Sequence, residues 1–157
     1  MLSADYLDIV VRTMRERGHD FAPGLSEAEL RSAEAVLAAP FPPDLRALLQ
    51  HATPRGERFP DWRHPDSADT AKRLAWPADG MCFDIEHNNF WLREWGERPD
   101  SLDEAKARAR LEVSRAPALI PVYSHRYLPA TPSREGNPVF SVYQTDIIYY
   151  GVDLPSY

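Results

Sequence analysis

Between Leu119 and Gly151 hydrophobic β-formers run in short bursts, and each burst is cut off by Pro, Gly, Asn or a brief polar step. Bursts of four to six residues are too short for a packed helix and suit strands joined by tight loops. The pattern predicts strands at about 119–123, 125–128, 138–143 and 146–150. A sheet in the last third is therefore the feature every other element has to accommodate.

Upstream, the apolar spacing changes from two to between three and four. Residues 3–17 predict a helix with Ser3 as N-cap and Tyr6, Ile9, Val10 and Thr13 as its buried stripe, stopped by Gly18. Ser26 followed by Glu29 is a capping box that opens a second helix, about 27–38, burying Leu30, Ala33 and Leu37 and ending at Pro40. Pro42-Pro43 then starts a short third helix in which Leu45, Leu48 and Leu49 face inward. Residues 52–79 read as mostly irregular, with a turn of helix at 67–73 and with Trp62 and Trp76 pinning the segment to the body.

From Met81 the alternation of Met81, Phe83 and Ile85 with Cys82, Asp84 and Glu86 predicts a strand. Asn88-Asn89 would turn it into Phe90-Trp91-Leu92 as a hairpin. Ser101 with Glu104 forms a second capping box, opening a helix over 102–114 with Leu102, Ala105, Ala109 and Val113 on its inner face. Together these elements predict one α+β domain over residues 1–157, a central, mostly antiparallel sheet packed with N-terminal helices and one intervening helix.

Bulk properties narrow the function. The 18 Lys and Arg against 24 Asp and Glu give a net charge of −6, which repels a phosphate backbone, so nucleic acid is not the expected partner. Lys106, Arg108 and Arg110, the densest basic cluster, lie on one helix beside Asp103, Glu104 and Glu112 and read as a solvated face. No apolar run approaches the roughly 20 residues of a membrane span. The acidic start Ser3-Ala4-Asp5 is unlike a secretory leader. The single cysteine, Cys82, excludes an intramolecular disulfide and a Cys-rich zinc site. A cytoplasmic location and folding without metal or cofactor are expected.

Catalytic motifs are absent from the sequence. The 5 histidines show no His-Glu-x-x-His spacing, Ser124 and Ser141 lie in no Gly-x-Ser-x-Gly elbow, and the 7 glycines form no phosphate loop. Asp84 and Glu86 would share a strand face, where two carboxylates can hold a cation or transfer protons. His125, beside Arg126 and Tyr127 and within reach of Asp146 after strand pairing, is the strongest single candidate for a charged imidazole. A hydrolase using His125 with Asp84 and Glu86 is thus one reading. Trp91 and Trp95 supply rigid aromatic area of the kind that anchors protein interfaces.

Two segments carry a resemblance: Gly24-Leu25-Ser26-Glu27-Ala28-Glu29-Leu30 and Phe41-Pro42-Pro43-Asp44-Leu45-Arg46-Ala47-Leu48-Leu49, followed by a sheet with an intervening helix. In that order they resemble the SUKH superfamily, which includes a fungal cell-wall synthesis regulator and many bacterial immunity proteins. The resemblance implies a non-catalytic protein-binding domain, an immunity-type antidote that neutralises a bacterial toxin; an intracellular regulatory or scaffold module is the alternative. The chain departs from the family at Ala52-Thr53-Pro54, where an Asn-Gly turn is common. Residues 91, 95, 125, 126, 127 and 146 (Trp91, Trp95, His125, Arg126, Tyr127 and Asp146) are the expected partner-binding set, because charge and aromatic area meet there at strand ends and loops.

Overall fold

Four of the five α-helices begin where a serine hydroxyl accepts a backbone N–H that the first helical turn leaves free. The computed structural model describes residues 2–157. Ser3 accepts from Tyr6 N at 3.2 Å at the head of α1 (Ala4–Glu16). Ser26 accepts from Glu29 N at 3.3 Å, and the Glu29 carboxylate returns to Ser26 N at 2.8 Å, completing the box that opens α2 (Glu27–Leu37). Ser67 caps α4 (Ala68–His87) and Ser101 caps α5 (Leu102–Arg115). The box expected at Ser101 is half formed: the serine accepts from Glu104 N at 3.4 Å, without a return bond among the described residues. The exception is α3 (Pro43–His51), which starts on a proline whose missing N–H costs no bond there.

The strands form two antiparallel sheets. A two-stranded ribbon pairs β1 (Asp20–Pro23) with β2 (Ala52–Arg55). The main sheet runs in the order β3-β4-β5-β6, from β3 (Leu119–Tyr123) through β4 (Arg126–Pro129) and β5 (Val139–Tyr143) to β6 (Asp146–Gly151). One face of the main sheet presents Ile120, Leu128 and Val139 to Leu30, Ala33, Leu37, Leu45, Leu49 and Trp62. The other receives α4, with α5 packed behind it through Ile85, Ala105 and Ala109. The fold is α+β, as the pattern of elements predicts. No helix among the described residues is long and apolar enough to cross a membrane.

A buried carboxylate joins the two segments that bracket this core. Asp44 accepts from Leu45 N at 2.9 Å and, through its other oxygen, from Gly136 N at 3.0 Å. The adjacent Asn137, equally buried, donates to the carbonyls of Pro129 and Pro132 at 3.1 and 2.8 Å. Pro-Pro-Asp and Gly-Asn-Pro, far apart in sequence, thus meet in space.

The largest departure from the sequence reading lies at residues 68–87. The strand expected at 81–86 and the hairpin through Asn88-Asn89 do not form; both strand residues and much of the expected irregular segment belong to α4. Pro77 and Gly80 look like breakers but are contact residues. Pro77 has no N–H to offer the carbonyl four residues back. That carbonyl, of Arg73, accepts instead from the buried Tyr127 hydroxyl at 2.8 Å. At Gly80 an added Cβ would lie 2.7 Å from the Gln144 Cα, so glycine is what lets α4 touch the β5–β6 turn.

Smaller corrections follow from packing. The buried stripe of α1 is Leu7 and Val11, with Met14 packed against Phe21 and Ala52, while Tyr6 and Ile9 are exposed. Leu48 is half-buried against the same cluster, beside the fully buried Leu45 and Leu49. Leu102 is exposed, leaving Ala105 and Ala109 as the buried face of α5. The ribbon strand β2 occupies the start of the segment expected to be irregular, and Cys82 is buried in α4, not in a strand.

Two outcomes test this packing. Tyr127→Phe removes the hydroxyl that serves the Arg73 carbonyl in place of a Pro77 N–H and is expected to cost about 1–3 kcal/mol in urea denaturation. Gly80→Ala would raise stability by roughly 1 kcal/mol in a free helix. Here the contact with Gln144 reverses the sign, and a loss of about 1–3 kcal/mol is expected from the same measurement.

Candidate protein-interaction site

Because β3 and β5 run parallel, the two tight hairpin turns of the main sheet, Ser124-His125 and Gln144-Thr145, fall at the same end. Ser124 and Gln144 both take the left-handed conformation, with φ of 49° and 56°, that a two-residue hairpin turn requires. A cleft of about 340 Å³ opens beside them, lined by residues that include Arg58, Lys72, Arg73, Trp76, His125 and Tyr143. Its aromatic wall is continuous. Trp76 meets the Tyr143 ring at 6.0 Å between centroids, and Tyr143 meets the His125 ring at 6.1 Å, both edge to face.

The wall is held from behind. Trp76 Nε1 donates to the Val142 carbonyl at 2.9 Å, fixing the indole against β5. Ser124 N donates to the Arg58 carbonyl at 2.6 Å, and the Arg73 guanidinium spans Asp69 at 2.6 Å and the Glu57 carbonyl at 2.5 Å. The loop carrying Glu57 and Arg58 is therefore tied both to the turn and to α4. Arg58 also donates to the Tyr123 hydroxyl at 3.2 Å. Cations and acids balance closely here, since Arg58, Lys72 and Arg73 face Glu57 and Asp69.

The six expected partner-binding residues divide into groups. His125 lies in the cleft, its Nδ1 3.3 Å from the Ser124 hydroxyl. Partial burial, helped by the neighbouring Arg126 charge, holds its pKa below the ordinary imidazole value. The imidazole is thus neutral near pH 7, and the carboxylate expected to charge it is not beside it. Tyr127 is 1% exposed and forms the floor beneath the cleft, where burial raises its phenol pKa; it cannot reach a partner.

Arg126 and Asp146 do not pair with each other. The Arg126 guanidinium lies 3.7 Å from the Tyr150 ring centroid and donates to the Ser141 hydroxyl at 3.1 Å. Asp146 is exposed at the start of β6. Trp91 and Trp95 stack edge to face at 5.3 Å, and Trp91 Nε1 donates to the Gly96 carbonyl at 2.8 Å. They pack against Ile85, Ala105 and Ala109, outside the cleft.

The Asp84/Glu86 pair is also separated. On a helix, residues two apart point to opposite sides, so the shared face expected from a strand is lost. Asp84 is buried and accepts from Thr145 N at 2.9 Å, Thr145 Oγ1 at 2.6 Å and Asn88 Nδ2 at 2.6 Å. Glu86 points outward and pairs with Lys106. Neither carboxylate lines the cleft that holds His125. Among the described residues no group of three or more His, Cys, Asp or Glu is placed to hold a metal ion.

Trp76 and Tyr143 are the aromatic residues of the cleft that sequence reasoning did not assign to function, and the charged rim of Arg58, Lys72 and Arg73 was not assigned either. Trp76 read as a loop pin and Tyr143 as one more sheet aromatic, and only the placement of α4 across the turns brings them to His125. Comparison of the chain with family models, curated proteins and solved structures gives no match.

The Asp84 contacts set a pH dependence. The Thr145 hydroxyl, then the Thr145 N–H and Asn88, hold the Asp84 pKa below the usual carboxylate value. A lowered folded pKa contributes stability that is present above the unfolded value of about 3.9 and is lost as pH falls through the folded one. Asp84→Asn is therefore expected to be clearly less stable than the native chain at pH 7. The difference should shrink as thermal unfolding is followed below pH 4.

Proposed function

We propose that the chain is a non-catalytic protein-binding domain, an immunity-type antidote that binds and neutralises a bacterial toxin, with the Trp76–Tyr143–His125 cleft as its anchor point. The observation that carries the reading is the wall itself. The Trp76 indole is fixed by its hydrogen bond to the Val142 carbonyl, and the Tyr143 and His125 rings follow it edge to face, so the indole at least has little side-chain freedom to lose on binding. Rigid aromatic residues bordered by Arg58 and Arg73 match the composition of interface hot spots. A protein side chain entering a cleft of about 340 Å³ would be gripped on its apolar sides and met by hydrogen-bonding groups at the rim.

The chemistry of the site favours binding over turnover. Ser124 and His125 are adjacent in a tight turn, yet among the described residues no carboxylate orients the far nitrogen of the ring, and a Ser–His pair without that third group is a poor nucleophile. The resemblance of Gly24–Leu30 and Phe41–Leu49 to the SUKH superfamily points the same way. The net charge of −6 would speed encounter with a cationic toxin, chiefly through the on-rate.

The test is co-purification with the product of a neighbouring toxin gene, followed by titration. Tyr143→Ala and His125→Ala are expected to weaken binding at least tenfold while melting temperature and circular dichroism stay near native. Neutralisation of the toxin should fall in parallel. Unchanged affinity in both variants would remove the cleft from the interface, and failure of any such toxin to bind would remove the antidote reading.

A further inference from the structure

The outer edge of the main sheet is unprotected. β6 is an end strand, and Ile147, Ile148, Tyr149 and Tyr150 are 40%, 52%, 77% and 54% exposed. Natural edge strands are usually blunted by lysine, proline or a bulge in mid-strand. β6 carries no lysine or proline, its one charge is Asp146, and its bulge falls at Tyr150, where the partner shifts from Tyr149 opposite Phe140 to Gly151 opposite Val139, so pairing is regular from Asp146 to Tyr149. Ile147 and Tyr149 project from one face of the sheet and Ile148 and Tyr150 from the other. A globular surface laid on the sheet would cover one pair only. An added strand, continuing both faces, covers all four.

The backbone of β6 is also oriented for pairing. Val142 N donates to the His125 carbonyl on the β4 side, so its neighbours Ser141 and Tyr143 turn their hydrogen-bonding groups toward β6. Their partners there are Ile148 and Asp146. Ile147 and Tyr149 consequently direct their N–H and C=O groups away from the sheet.

We infer that β6 is a homodimer interface, pairing antiparallel with β6 of a second copy about a two-fold axis through Ile148. This register sets Ile147 opposite Tyr149 of the other copy on both sides of the axis, so all four outward-facing residues exchange main-chain bonds. Ile148 faces its own counterpart, and Asp146 faces Tyr150. Charge selects a second copy as the occupant. Among the described residues Asp146 has no cation beside it, and Arg126, seated on the Tyr150 ring, has no carboxylate. The pairing brings each Asp146 to the Tyr150–Arg126 stack of the other copy, on the same face of the sheet. Two four-stranded sheets become one of eight strands, and the His125 cleft at the turn end stays open.

Analytical ultracentrifugation over a concentration series is expected to show a species of twice the 17.9 kDa chain mass. Ile148→Lys places like charges directly across the axis and is expected to give a monomer whose melting curve matches the native one at low concentration. Asp146→Arg should weaken the dimer at least tenfold, and Asp146→Arg with Arg126→Asp should recover most of the loss. Register is read by cross-linking. Ile148→Cys sits opposite itself at a separation a disulfide can span, roughly 4.5 Å between Cα atoms in a non-hydrogen-bonded pair, and should oxidise to a covalent dimer. Ile147→Cys should not. A native chain that stays monomeric near 100 μM, about 100 times the Kd of a micromolar complex, overturns the inference. So does a dimer that survives Ile148→Lys or one in which Ile147→Cys cross-links and Ile148→Cys does not.

Discussion

The position of α4 on the main sheet rests on one exchange of hydrogen bonds. Pro77 cannot donate to the carbonyl of Arg73, and the Tyr127 hydroxyl, brought from β4, donates in its place. Without that phenol the helix would carry an unpaired carbonyl into the protein interior, and without the proline the buried tyrosine would have no acceptor there. Gly80 then allows the helix backbone to come down on the β5–β6 turn, where Asp84 collects the N–H and hydroxyl of Thr145. Three successive turns of one helix thus hold β4, the β5–β6 turn and, through Trp76, the β5 backbone.

This arrangement explains which parts of the fold were legible in the sequence. Strands β3 to β6 and helices α1, α2, α3 and α5 announce themselves through local signals, namely serine caps, a proline start and two-residue turns. α4 does not, because its breakers are justified only by partners some fifty to sixty-five residues away. Local propensity at Pro77 and Gly80 argues against a helix, and tertiary contact overrides it. The short alternation from Met81 to Glu86 misled for a related reason. Cys82 and Ile85 face α5 and Asp84 faces the turn, so the helix is buried on two sides and shows no single apolar stripe. The β1–β2 ribbon escaped detection because Asp20-Phe21-Ala22-Pro23 has little strand character of its own.

The site was legible only in part. His125 stood out as a polar residue between two strands, and it does sit in the cleft. Tyr127, two residues on, shares that face of the sheet but lies beneath α4, where its hydroxyl is spent on the Arg73 carbonyl. Asp146 was expected to serve His125 or Arg126, but a carboxylate at the start of an edge strand faces outward, and the Arg126 guanidinium finds Tyr150 across β5 instead. Trp91 and Trp95 are half-buried at the far end of α4, where covering Ile85 and the alanines of α5 is sufficient reason for two indoles.

What remains on the surface separates into two regions with different physical character. The turn end is concave and mixed in charge, and its indole and the adjoining loop are braced from behind, which suits recognition of a dissimilar partner. The β6 edge is regular from Asp146 to Tyr149, apolar on both faces and, among the described residues, carries an acid without a cation and lies beside a cation without an acid, which suits a partner of identical sequence. A single strand cannot satisfy both demands, because covering β6 with a foreign chain would leave Arg126 and Asp146 dependent on charges that chain happened to bring. Assigning the edge to self-association and the cleft to the heterologous partner lets each unpaired group be met by chemistry the molecule already carries. It also gives a dimer two open clefts related by the same axis.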